Sequence, residues 1–146
     1  MAELYIKGWI TNDNYHNIGI SDISPEERKN DFLYTGDSIV DMIESFASEH
    51  GIFGRHKKGL GGRKSYIDDC SLRIFFTDKE STLEEAMEAF DELLYGGDVK
   101  TRMDLVGYSE YTIEGIDLVE FSIGGHDLNS EISYHHDEYM HFILEV

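Results

Sequence analysis

Thirty Asp and Glu against twelve Lys and Arg leave this 146-residue chain with a formal charge of -18. No other feature constrains its fold as much. Carboxylates without partners have to reach water, and crowded on a small surface they repel one another and oppose compaction. A core has to come from the 40% of residues that are hydrophobic, to which nine Tyr and eight Phe add bulk. That is enough apolar mass to argue against global disorder. The length suggests one domain spanning residues 1–146.

No run approaches the roughly 18 apolar residues of a membrane span. The opening MAELYIKGWI has an early Glu3 and no apolar stretch leading to a cleavage site, so it does not read as a secretory signal. Cys70 is the single cysteine, which excludes an intrachain disulfide. These features together predict a cytoplasmic protein, in the host cytoplasm if the source is viral.

Alternation of Leu4 and Ile6 with Tyr5, Lys7 and Trp9 predicts a strand over Leu4–Ile10. Ser24-Pro25-Glu26-Glu27 carries a helix-start signature for a short helix, with Ser24 as cap and Pro25 at the first helical position. A longer helix is expected over Ser38–His50, capped by Asp37, with Ile39, Val40, Ile43, Phe46 and Ala47 on one face and Gly51 as its stop. Tyr66–Phe76 returns to strand character. A second long helix follows, with Ser81 and Glu84 as a capping box. Leu83, Ala86, Met87, Phe90 and Leu94 form its apolar stripe, and Gly96-Gly97 ends it. Strands over Arg102–Tyr111, Gly115–Ile123, Leu128–Tyr134 and Tyr139–Val146 complete a C-terminal β-meander. The expected class is α+β: two main helices on a mostly antiparallel sheet of five or six strands.

Against that background two regions stand out by charge. Residues 51–65, GIFGRHKKGLGGRKS, contain five glycines and five of the twelve cations: Arg55, Lys57, Lys58, Arg63 and Lys64. An exposed basic loop of this kind offers backbone N–H groups and positive charge to a phosphorylated or nucleotide ligand, or to an acidic patch on a partner or a second copy in a homodimer. The register of GLGGRKS does not match a GxxxxGK[ST] phosphate loop.

From Met103 to the end there is no Lys or Arg, while ten acids accumulate: Asp104, Glu110, Glu114, Asp117, Glu120, Asp127, Glu131, Asp137, Glu138 and Glu145. The second long helix adds Glu84, Glu85, Glu88, Asp91 and Glu92. A field of one sign repels DNA, RNA and anionic membranes and attracts basic proteins. Of the ten C-terminal acids, all but Glu145 are candidates for an acidic partner-binding face, with Trp9, Tyr15 and Tyr108–Tyr111 as candidate aromatic anchors.

Chemistry is harder to find. His126, His135, His136 and His141 cluster late, beside Asp127 and Asp137, but lack HExxH or any repeated ligand spacing. They read as surface or interface histidines, with no metal or cofactor expected. Cys70 follows Asp68-Asp69, whose charge disfavours a thiolate. The expectation is therefore a non-enzymatic inhibitor that blocks a basic nucleic-acid-binding protein such as a nuclease. Toxin immunity and phage anti-defence, in the manner of anti-CRISPR proteins, are the two settings that use such blockers. The alternative is a phosphate-ligand binder working through residues 55–64.

Overall fold

A computed structural model describes residues 2–11, 18–28, 36–54, 66–96 and 105–146, the side chains of 113 and 114 excepted. The elements in chain order are β1 (Glu3–Thr11), β2 (Gly19–Ser21), α1 (Pro25–Arg28), β3 (Asp37–Ser38), α2 (Ile39–His50), β4 (Tyr66–Thr77), α3 (Leu83–Tyr95), β5 (Leu105–Asp117), β6 (Ser122–Ile123), β7 (His126–Asp127), α4 (Leu128–Tyr134) and β8 (Tyr139–Glu145). The class is α+β. Among the described residues all eight strands join one antiparallel sheet in the order β3-β2-β1-β8-β4-β5-β6-β7.

The last strand lies in the middle of this sheet. β8 pairs with β1 from Glu3↔Glu145 to Trp9↔Tyr139, and with β4 from Ser71↔Glu145 to Thr77↔Tyr139. Its burial does not alternate: Tyr139 through Leu144 are all buried. A strand is buried at every position when both faces of its sheet are covered. On one face Met140, Phe142 and Leu144 join Ile6, Ile10, Leu72, Ile74 and Phe76 beneath α2 and α4. On the other, Phe75 and Ile143 meet Ala86 of α3, with Leu83, Phe90, Leu105 and Tyr108 packed around them.

The meander expected at the C-terminus is only partly present. β5, β6 and β7 do run antiparallel in sequence order, but Leu128–Tyr134 is a helix. Leu128 and Ile132 sit four apart, a spacing that fits one face of a strand and one face of a helix alike. Asp127 decides between them: its carboxylate accepts the N–H groups of Asn129 (3.0 Å) and Ser130 (3.4 Å), capping the first turn. Nor is Gly115–Ile123 one strand. β5 continues to Asp117, and the chain then turns through Leu118–Phe121, with Phe121 at a φ of 49°.

Both long helices start one residue later than the capping patterns suggest. Ser38, not Asp37, caps α2, its Oγ accepting from Asp41 N at 3.3 Å. Thr82, not Ser81, caps α3, accepting from Glu85 N at 3.1 Å. The apolar face expected for α2 is fully buried, and Gly51 ends that helix in the left-handed conformation. The α3 stripe is rotated from its expected position. Ala86 and Ala89 are buried, whereas Met87 and Leu94 are exposed. Small residues at 86 and 89 let the helix approach the sheet closely, and Met87 and Leu94 fall on its flank.

Candidate functional site

The acids of the C-terminal third do not form one face. Alternation along β5 sends Glu110 to the α3 side of the sheet, opposite Arg73, and sends Ser109 and Tyr111 to the α4 side, opposite Ile74 and Leu72. Glu131 on α4 meets them there. It accepts from Ser109 Oγ and from Tyr111 Oη (2.5 Å), and pairs with His126 Nε2 at 3.1 Å. Asp117 is buried and accepts the N–H groups of Val119 (2.9 Å) and Glu120 (3.3 Å) in the turn after β5. Glu120 itself is exposed, and Glu138 is bonded to His135 Nδ1 at 2.5 Å.

Cations from elsewhere relieve part of the field. Arg28 reaches Asp137 at 3.0 Å, and Arg73 reaches Glu145 at 3.6 Å. A segment without Lys or Arg in sequence is therefore not without them in space. Asp104, the Glu114 side chain, Tyr15, and Arg55, Lys57, Lys58, Arg63 and Lys64 of the basic loop lie outside the described residues. Tyr108 packs on Phe75 and Phe90, and Trp9 meets Tyr139 edge-on.

α3 is built differently. Its five acids are accompanied by no Lys or Arg within the helix, and none of them forms a salt bridge among the described residues. At 100° per residue Glu84, Glu88, Asp91 and Tyr95 lie along one outward row, flanked by Met87 and Leu94. Tyr95 is 84% exposed and Leu94 58%. Here exposed charge and exposed apolar surface adjoin.

At the root of α3 is a cavity of about 400 Å³ lined by Tyr5, Lys7, Glu80, Ser81, Thr82, Leu83, Glu84, Glu85 and Tyr139. Behind it lies a polar chain that the sequence did not reveal. His141 is not at the surface; it is fully buried in β8. Its Nδ1 is 2.6 Å from Tyr5 Oη and its Nε2 is 3.0 Å from Ser81 Oγ, and Ser81 Oγ is 3.0 Å from Thr77 Oγ1. Freed from capping by Thr82, Ser81 turns inward to complete this chain.

Counting hydrogens fixes its direction. The carbonyl of Lys79 can only accept, so Thr77 donates to it at 2.8 Å. A hydroxyl has one hydrogen, so Ser81 donates to Thr77, and His141 Nε2–H donates to Ser81. Burial foremost, and then Lys7, push His141 down to about 4, while Glu84 acts in the opposite sense. The ring is neutral near pH 7, so Nδ1 accepts from Tyr5. Burial, with Tyr139 and Glu84, pushes the Tyr5 phenol up to about 12 and keeps that proton in place. In this arrangement His141 donates to Ser81 rather than accepting from it, the reverse of a base activating a nucleophile.

The remaining sequence candidates for chemistry are dispersed. His135 stacks flat on Phe76 at 3.7 Å, with Gly107 beneath it, where a Cβ would come within 3.0 Å of the ring. Cys70 is buried, and burial foremost pushes its thiol up to about 11, with Asp69 adding to the rise. Among the described residues no group of three His, Cys, Asp or Glu is placed to hold a metal ion, and no helix is long and apolar enough to cross a membrane. Comparison of the chain with protein-family models, with curated proteins and with solved structures finds no match in any of the three.

Proposed function

We propose that this protein is a non-enzymatic acidic inhibitor that covers the basic surface of a nucleic-acid-binding protein such as a nuclease, in toxin immunity or phage anti-defence. The observation that carries this reading is the outer row of α3. Glu84, Glu88 and Asp91 are exposed, without ion pairs among the described residues, and adjoin exposed Met87, Leu94 and Tyr95. Charge of one sign steers a basic partner and rejects acidic ones, while apolar anchors at the same place supply short-range affinity. A row of carboxylates along a helix also presents spaced negative charge of the kind a phosphate-binding surface accepts.

The test is inhibition of nucleic-acid cleavage by a panel of basic nucleases, with affinity measured against salt. Binding by a susceptible enzyme weakens steeply as salt rises. Glu88→Lys with Asp91→Lys weakens it on the order of 100-fold. Glu26→Lys with Glu27→Lys, an equal charge change on exposed α1, leaves it nearly unchanged. Salt-insensitive binding, or equal loss in the two double variants, contradicts the proposal.

A further inference from the structure

The cavity at the root of α3 has a lining that selects for its occupant. Tyr139 is 5% exposed, and its hydroxyl has no hydrogen-bond partner among the described residues. Its electrostatic neighbours, Glu80 and Tyr5, are both in the cavity wall, which places the phenol end there. Solvent reaches this oxygen through the cavity, so a ligand group can replace water as its partner.

The other wall groups limit what that partner is. The Tyr5 hydrogen is committed to His141, so Tyr5 offers the cavity lone pairs alone. Glu80, Glu84 and Glu85 are carboxylates, which accept and do not donate. Lys7 is the opposing charge, one ammonium against three carboxylates. The partial positive charge at the α3 N-terminus is offset by Glu84 and Glu85 in its first turn. The Lys7 ammonium and the Tyr139 and Thr82 hydroxyls are donors, but the wall as a whole is dominated by acceptors and carries excess negative charge and two aromatic rings. Guanidinium is the complement: five N–H donors, no acceptor, a fixed positive charge and flat faces that stack on phenol rings.

We propose that this cavity receives an arginine side chain of the basic partner, an inference that rests on the reading of α3 as the docking face. Glu84 belongs to both the cavity wall and the outward row of α3, so an arginine seated here lies next to the exposed acids and apolar anchors. A buried arginine surrounded by near-neutral contacts is a common energetic centre of an interface.

The experiment is an NMR titration of the whole protein with N-acetyl-arginine amide, and with N-acetyl-citrulline amide as its uncharged counterpart. The arginine probe shifts the amide signals of Tyr5, Lys7, Glu84 and Tyr139 and leaves those of α2 in place; the citrulline probe shifts none of them. Tyr139→Phe keeps the ring and weakens the arginine probe about fivefold, and Glu84→Gln with Glu85→Gln weakens it about tenfold. The proposal is overturned by absence of those shifts at saturating probe, by equal shifts from citrulline, by equal binding of N-acetyl-lysine amide, or by full affinity in both variants. The outcome separates the two readings. If the probe fails while nuclease inhibition still collapses in Glu88→Lys with Asp91→Lys, the face stands and the arginine site falls. If the probe binds while no basic nuclease is inhibited, the site stands and the proposed function falls.

Discussion

α3 and α4 cover opposite faces of one sheet, are both acidic and lack Lys and Arg, yet they use their carboxylates in opposite ways. On α4 the acids are engaged by the fold: exposed Asp127 caps the helix, and half-buried Glu131 collects Ser109, Tyr111 and His126. On α3 the acids of the outer row hold nothing in place. Net charge therefore overstates the free acidic surface of such a chain, because some of its carboxylates are structural parts. The useful distinction is between acids with internal donors and acids without them.

Mutations can break or sharpen that contrast. The largest difference lies beneath the helices. Ile132→Ala on α4 removes a fully buried side chain and costs about 3 kcal/mol in urea unfolding, whereas Leu94→Ala on α3 costs less than about 0.5 kcal/mol. A comparable effect comes from pH on the α3 side. His141 has a folded value of about 4 against an ordinary 6.5, so the unfolded chain binds the proton more tightly. Its contribution is fully present above 6.5 and falls away as pH drops from 6.5 towards 4, reaching about 3 kcal/mol. Unfolding followed across that window shows the loss, and His141→Gln flattens the slope.

The acids themselves give the next two steps. Glu131→Ala leaves three donors without their acceptor and costs about 2 kcal/mol, while Glu88→Ala and Asp91→Ala stay within about 0.5 kcal/mol and lower partner affinity instead. Equal stability losses on the two helices would erase the distinction between them. Asp127→Ala removes the α4 cap and costs about 1 kcal/mol in the same unfolding measurement. Hydrogen bonds from Ser130, foremost its hydroxyl, hold the Asp127 carboxyl below its ordinary 3.8. Its contribution is thus present above 3.8 and disappears as pH falls through the lower folded value.

Sequence made the α+β class legible, along with α1, α2, the existence of α3 and the starts of β1 and β4, because each has a periodicity or cap that acts locally. It misplaced the parts whose character depends on what lies across the sheet. Leu128 and Ile132 carry a spacing common to strand and helix. Met87 looked apolar enough to be core, and the small Ala89 took the buried place. His141 reads as a surface histidine in sequence because it clusters with His126, His135 and His136 beside Asp127 and Asp137, yet the strand it belongs to is covered on both sides. Ser81 looked like a cap, and only the adjacent Thr82 in that role frees it to meet a residue sixty positions away. The acidic map was legible as composition, but not the reach of Arg28 and Arg73 into it, which depends on strand order.

The placement of β8 also governs how the molecule is made. β1 and β4 each present an edge that β8 alone covers, and β8 leaves the ribosome after both. Until it does, two hydrophobic strands stand with unpaired backbone, the arrangement that invites neighbouring chains to add themselves. Mutual repulsion between chains this acidic opposes that association. The net charge of -18 thus bears on the unfinished sheet as well as on the finished surface.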